Sequence, residues 1–155
     1  MKELAMVRSP DGLALVTGGG DGLGVALCRH LMDRGYSVLA CGRREATLSA
    51  AARSLPGLRT IRADVTIPID RDRLFAAALE AGRPLDMLVN NAAVSVVHDY
   101  SNPFTLAEDR AGGEIETNLR APIELIRRFL LLRHEQGWDA RPATIVNVST
   151  PGALM

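Results

Sequence analysis

The stretch Thr17-Gly-Gly-Gly-Asp-Gly-Leu-Gly24 has the composition and spacing to hold a diphosphate. A mostly apolar run over 13–16 leads into it, and an apolar-periodic segment leads out from Val25. It therefore reads as a strand, a tight turn and a helix. Backbone N–H groups point out of such a turn, and the helix dipole favours negative charge there. Gly18, Gly22 and Gly24 suit the turn, the close approach of backbone to phosphate, and the packing of helix on strand. Thr17, Gly20, Asp21 and Leu23 complete the candidate loop.

The elements that must position this loop alternate. Strands are expected over 13–16, 37–41, 58–63, 85–89 and 144–148. Helices are expected over 23–34, from about 45 to 54, over 71–81, and in one long piece over 108–135. Gly35, Pro56-Gly57 and Gly82 punctuate them. The run over 37–41 is almost continuously apolar, as a strand buried on both faces is. Parallel neighbours need right-handed crossovers, so this alternation implies a parallel sheet with helices on both faces. The expected fold class is α/β, a doubly wound Rossmann-like sheet with five strands. A flavodoxin-like sheet is the alternative.

A chain of 155 residues fits a single domain. Its 47% hydrophobic content can fill a core. Zero net charge gives no electrostatic case for nucleic acid or an anionic membrane. The sequence has no evident signal peptide and no apolar run long enough for a bilayer, so cytoplasm is the expected compartment. Cys28 and Cys41 are isolated, which points to reduced buried thiols and no metal site. In the long helix, Ile115, Leu119, Ile123, Ile126 and Leu130 lie on one side, and Leu125, Phe129 and Leu132 widen it to about half the circumference. One stripe can face the sheet. The rest asks for a later helix or another subunit, so a homo- or hetero-oligomer through 108–135 is a candidate.

In their order and spacing these motifs resemble the short-chain dehydrogenase/reductase family. The loop over 17–24 is similar to its Thr-Gly-x-x-x-Gly-x-Gly. Asp64-Val65 is similar to the segment whose Asp contacts adenine. Asn90-Asn-Ala-Ala93 resembles its Asn-Asn-Ala-Gly, with Ala93 where Gly is usual. The resemblance implies cofactor contacts at Asp64, Val65, Asn91, Ala92 and Ala93. Asn118 falls where the family has a catalytic Asn, and Ile145-Val-Asn-Val-Ser149 matches the strand that delivers the catalytic Ser. Taken singly, Asp64 could cap a turn, Asn90 and Asn91 could satisfy a strand end, and Asn118 could be an exposed helix residue. Their joint spacing over almost the whole chain favours the family reading.

The resemblance implies hydride transfer between a nicotinamide cofactor and a small carbonyl or alcohol substrate. An NAD site places an acid at the end of the second strand, where it binds the ribose 2′-OH. That position is Gly42 here, and Arg43 and Arg44 follow. Guanidinium forks suit a phosphate dianion, so NADP(H) is expected over NAD(H), with Arg43 ahead of Arg44 as the 2′-phosphate ligand. The family's acid/base is a Tyr whose pKa is lowered by a Lys four residues on. Lys2 is the only lysine, so neither Tyr36 nor Tyr100 begins a Tyr-x-x-x-Lys motif. The family's Ser pair is Ser149-Thr150 here, which puts Thr150 in the catalytic position. Its hydroxyl can still donate, but its methyl crowds the site. Asn118, Ser149 and Thr150 are thus the catalytic candidates. The single domain over 1–155 is expected to be incomplete at its C-terminus, with normal turnover lost and the strand over 144–148 left as a sheet edge. The alternatives are a non-catalytic NADP(H)-binding or heterodimerising module and a gene remnant. In the loop over 94–107, His98 and Tyr100 are either substrate contacts or plain surface residues.

Overall fold

A computed structural model describes residues 11–95 and 108–149. His98, Tyr100 and Thr150 lie outside the described residues. The order is β1 (Leu13–Thr17), α1 (Gly22–Asp33), β2 (Ser37–Gly42), α2 (Glu45–Ser54), β3 (Arg59–Arg62), α3 (Pro68–Leu79) and β4 (Leu85–Asn90). Then come α4 (Glu108–Ile115), a π turn (Glu116–Arg120), α5 (Ala121–Glu135) and β5 (Thr144–Asn147). The five strands pair in parallel in the order β3-β2-β1-β4-β5, which is the Rossmann-like sheet expected. The chain winds outward from β1 to β3 and then crosses back to β4. The strand order therefore reverses beside β1, and the crevice beyond the strand ends there is where such sheets take ligands.

Side chains two apart on a strand share a face, and this sorts the core into two layers. Leu13, Leu15, Leu39, Leu85 and Leu88 meet Leu74 and Phe75 of α3 and Leu125 and Phe129 of α5. Ala14, Val16, Val38, Ala40 and Val89 meet Cys28 and Leu31 of α1 and Ala51 of α2. Both cysteines are free and buried. Burial pushes the Cys28 thiol up to about 11 and the Cys41 thiol to about 12, so both stay protonated in the folded chain near neutral pH. β1 and β4 are buried throughout, whereas β3 and β5 lie at the edges. Ile145, Val146 and Val148 are exposed there, as expected of an edge.

Residues 108–135 are not the single regular helix expected. The Ala121 N–H reaches back to the Glu116 carbonyl, one residue farther than an α-helix allows. Pro122 supplies the reason. It has no N–H for the carbonyl four residues back, and its ring crowds that carbonyl; the wider turn just before it relieves both. The stripe facing the sheet is Thr117, Ala121, Leu125, Phe129 and Arg133. Ile115, Leu119, Ile123 and Leu130 are each more than half exposed. Ile126 and Leu132 pack at the margin of the core.

Arg133 is the unexpected member of the buried stripe. β4 steps from Leu13↔Leu85 to Ala14↔Met87 against β1, which leaves Asp86 as the extra residue. Its carboxylate is buried. Arg133 Nη1 donates to Asp86 Oδ1 at 2.8 Å and to the Leu85 carbonyl at 2.7 Å. Its Nη2 donates to the Trp138 and Arg141 carbonyls, each at 2.6 Å. Arg141 Nη2 meets Asp86 Oδ2 at 2.8 Å. This network ties α5 and the segment before β5 onto β4. Truncating one partner of a buried pair strands the other charge, at a cost of roughly 3–5 kcal/mol. Arg141 still meets Asp86 in Arg133→Met, so the variant should lower unfolding free energy in urea by less than that, about 2–3 kcal/mol, and a loss below about 1 kcal/mol, the scale of an exposed pair, would contradict this role.

Candidate nucleotide-binding site

The glycine loop owes its shape to two close approaches. Gly18 has φ +65°, and a Cβ there would lie 2.9 Å from the Ala92 Cα. A Cβ on Gly24 would fall 2.0 Å from the Gly18 carbonyl oxygen, so the start of α1 can rest on the loop only if residue 24 is glycine. The helix thus packs on the loop's own first turn. Gly22 has open space around its Cβ position. Asp21 precedes α1 in extended conformation and makes no side-chain cap bond. The first-turn N–H groups of a helix have no intrahelical partner. Those of α1 are left uncapped at the crevice, where a diphosphate would meet them.

Thr17 and Asn91 lock the loop to the end of β4. The buried Thr17 hydroxyl accepts the Asn91 and Ala92 N–H groups, both at 3.0 Å, and donates to the Val89 carbonyl at 3.3 Å. Asn91 Nδ2 donates to the Thr17 carbonyl at 3.0 Å and the Gly18 carbonyl at 3.2 Å. Asn90, the other half of the pair, bonds Asn147 of β5 at 2.8 Å.

The resulting cleft has a volume of about 270 Å³. Gly18, Gly20, Asp21, Leu23 and Gly24 line it from the loop, and Arg43 and Arg44 from the end of β2. Asp64 and Val65 line it from beyond β3, and Asn91, Ala92 and Ala93 from beyond β4. Thr17 acts from beneath, and Gly22 is exposed beside it. Arg44 forms an ion pair with Asp21 across the mouth. The Asp64 carboxylate accepts the Thr66 N–H at 2.9 Å and the Thr66 hydroxyl at 2.7 Å, so it caps a turn and borders the cleft at once. The donor set fits a nicotinamide dinucleotide: uncapped helix N–H groups, a glycine cradle that a Cβ would fill, and guanidinium groups at one end.

Cys41 and Ala63 line the cleft from the ends of β2 and β3 without having been site candidates, and two threonines join them. Thr47, in the first turn of α2, donates to the Arg44 carbonyl at 2.9 Å, and a Cβ on Gly20 would lie 2.7 Å from its hydroxyl. Thr117, buried in the π turn, closes the far side. A threonine within a helix carries no signal of either role.

Of the catalytic candidates, Asn118 sits in the π turn. Its Oδ1 accepts the Val94 N–H at 2.8 Å, and its Nδ2 donates to the Val94 carbonyl at 2.7 Å. This two-point grip fixes the chain just beyond β4. Ser149 is exposed beyond β5. Among the described residues no hydrogen bond joins Asn118, held at Val94, to Ser149. Among the described residues no His, Cys, Asp and Glu cluster could hold a metal ion.

Comparison with known proteins agrees with this geometry. The family model for short chain dehydrogenases matches residues 12–155. An uncharacterized oxidoreductase of Bacillus subtilis, DltE, is 36% identical over 124 residues, covering 79% of this chain and 48% of its own length. Human L-xylulose reductase is 34% identical over 139 residues, covering 88% of this chain and 52% of its own. The chain thus spans about half the length of the curated relatives it matches. Among solved structures, an F189W actinorhodin polyketide ketoreductase with NADPH aligns with a TM-score of 0.83 and 28% identity, over 94% of this chain and 55% of that one. A 3-ketoacyl-(acyl-carrier-protein) reductase of Brucella melitensis complexed with NADH aligns with a TM-score of 0.81 and 26% identity, over 92% and 58%. A glycine loop braced on β4, at the switch point of a parallel sheet and inside a match from residue 12 to 155, places this chain in the short chain dehydrogenase family.

Proposed function

We propose that the chain is the cofactor-binding half of an oxidoreductase that uses NADP(H) in preference to NAD(H). The end of β2 carries this reading. Gly42 stands where an acid would bind a ribose 2′-OH and repel a 2′-phosphate, and Arg43 follows it into the cleft. When bound, the nicotinamide supplies or accepts a hydride. The chain's own part is to hold the diphosphate on the N–H groups at the start of α1, and to border the adenine end with Asp64 and Val65. Asn118 orders the backbone at Val94 beside the reacting end. A small carbonyl or alcohol is the proposed substrate class. The acid/base group is the missing part: the 155 residues hold one lysine, Lys2, and no Tyr-x-x-x-Lys. Cofactor binding without normal turnover is therefore proposed for these residues alone, with Ser149-Thr150 standing in the sequence where the family has its Ser pair. Among the described residues no helix is long and apolar enough to cross a membrane, and cytoplasm is the proposed compartment.

A second reading is favoured by one observation, the exposed Ile115, Leu119, Ile123 and Leu130. It is a non-catalytic NADP(H) module that pairs with a second copy or a relative through 108–135. A self-associating chain that Leu119→Glu converts to monomer in light scattering would support it, and a wild-type monomer at every concentration would remove the self-pairing form.

The cofactor reading has a clean test at Gly42. A Cβ there would meet nothing nearer than Leu48 Cδ2, at 3.7 Å, so Gly42→Asp adds a charge at a position with room for its Cβ. Its NADPH affinity should fall about tenfold or more while NADH affinity holds or rises. Arg43→Asp should shift the preference the same way. A preference unchanged in both variants would contradict the NADP(H) reading.

A further inference from the structure

Four arginines surround the adenosine end of the cleft, and they are not equivalent. Arg44 is paired with Asp21. Arg73 is paired with Asp70 at 3.2 Å. Asp70 also accepts the Asp64 N–H at 2.9 Å, and Asp64 Oδ1 accepts both Thr66 bonds. The guanidinium groups of Arg43 and Arg62 have no carboxylate partner among the described residues.

The sheet register puts these two side by side. Gly42 of β2 pairs with Arg62 of β3, so Arg62 stands across from the position where an NAD site would carry its acid, and Arg43 is the next residue along. Arg62 Nε donates to the Arg43 carbonyl at 3.2 Å. That bond uses one donor of the fork and leaves both terminal nitrogens for a ligand. Arg43 and Arg62 line one groove with Asp64, Ile67, Asp70 and Arg73, and Arg43 and Asp64 also line the main cleft. The groove thus opens from the adenosine end of the cleft. Two adjacent cations without counter-ions repel each other, and a dianion between them removes that repulsion.

We propose that Arg62 is a specificity-determining residue, a second ligand that holds the ribose 2′-phosphate together with Arg43. Arg44 serves instead to neutralise Asp21, whose carboxylate would otherwise face the cofactor's phosphates. The assignment rests on the NADP(H) reading and names the second residue that enforces it. Nothing at residue 62 marks it in the sequence, because a strand-end arginine is usually a solvated surface charge.

The test compares 2′,5′-adenosine diphosphate with 5′-adenosine monophosphate, which differ only by the 2′-phosphate, by calorimetric titration of the wild-type chain and of Arg62→Gln, Arg62→Lys and Arg43→Gln. Wild type should prefer the bisphosphate by about tenfold or more. Arg62→Gln should cut that preference about five- to tenfold, with monophosphate affinity held within about twofold as the control for folding. Arg62→Lys keeps the charge but gives up the bond to Arg43, and it should keep most of the preference. Loss in Arg43→Gln but not in Arg62→Gln overturns the assignment of Arg62 and leaves the NADP(H) reading standing. Equal loss in Arg62→Lys and Arg62→Gln makes Arg62 a support for the Arg43 backbone and overturns its role as a ligand. A wild-type ratio near one overturns the NADP(H) reading itself.

Discussion

The Thr17 hydroxyl, buried at the end of β1, makes three hydrogen bonds that together hold the cleft open in one shape. With Asn91 it fixes where the glycine loop leaves the sheet relative to the end of β4. The close approach of Gly18 to Ala92 and of Gly24 to Gly18 depends on that fixed exit. The uncapped start of α1 is aimed by the same constraint. A buried hydroxyl with one donor and two accepted bonds has little freedom to rearrange, so the loop is organised before any ligand arrives.

Charge placement then divides the labour around this frame. Buried Asp86 and Arg133, joined by the half-exposed Arg141, form a network that secures α5 and the approach to β5. Around the adenosine end, two arginines are neutralised by carboxylates and two have no carboxylate partner among the described residues. The π turn does comparable work beyond β4. It absorbs Pro122, buries Thr117 against the cleft and delivers the Asn118 amide to Val94. The outward side of α5 and its preceding turns carries an apolar stripe that the described residues leave exposed.

Most of the fold was legible in the sequence because buried parallel strands are continuous apolar runs and the turns between them are marked by glycine and proline. β1, β2 and β4 were found within a residue of their ends. α3 begins at Pro68 itself, three residues ahead of the expected 71–81, because Pro is accepted in a helix's first turn. The cleft was legible for a different reason: its residues follow strand ends at fixed offsets. Asp64 and Asn91 each satisfy local backbone and also line the cleft, whereas Asn118 holds the backbone at Val94. What stayed hidden depends on pairing between distant positions. Arg133 is buried only because β4 bulges at Asp86, a residue 47 positions away. Arg62 gains its place only through register with Gly42. The π turn needed the conflict between Pro122 and a helix that otherwise propagates well.

The most direct measurement is an equilibrium titration of the folded 155-residue chain with NADPH and with NADH, followed by nicotinamide fluorescence. Saturable binding of both, with NADPH the tighter ligand, is the expected result. A chain that is folded by circular dichroism and binds neither cofactor would contradict the central claim that this cleft is a dinucleotide site.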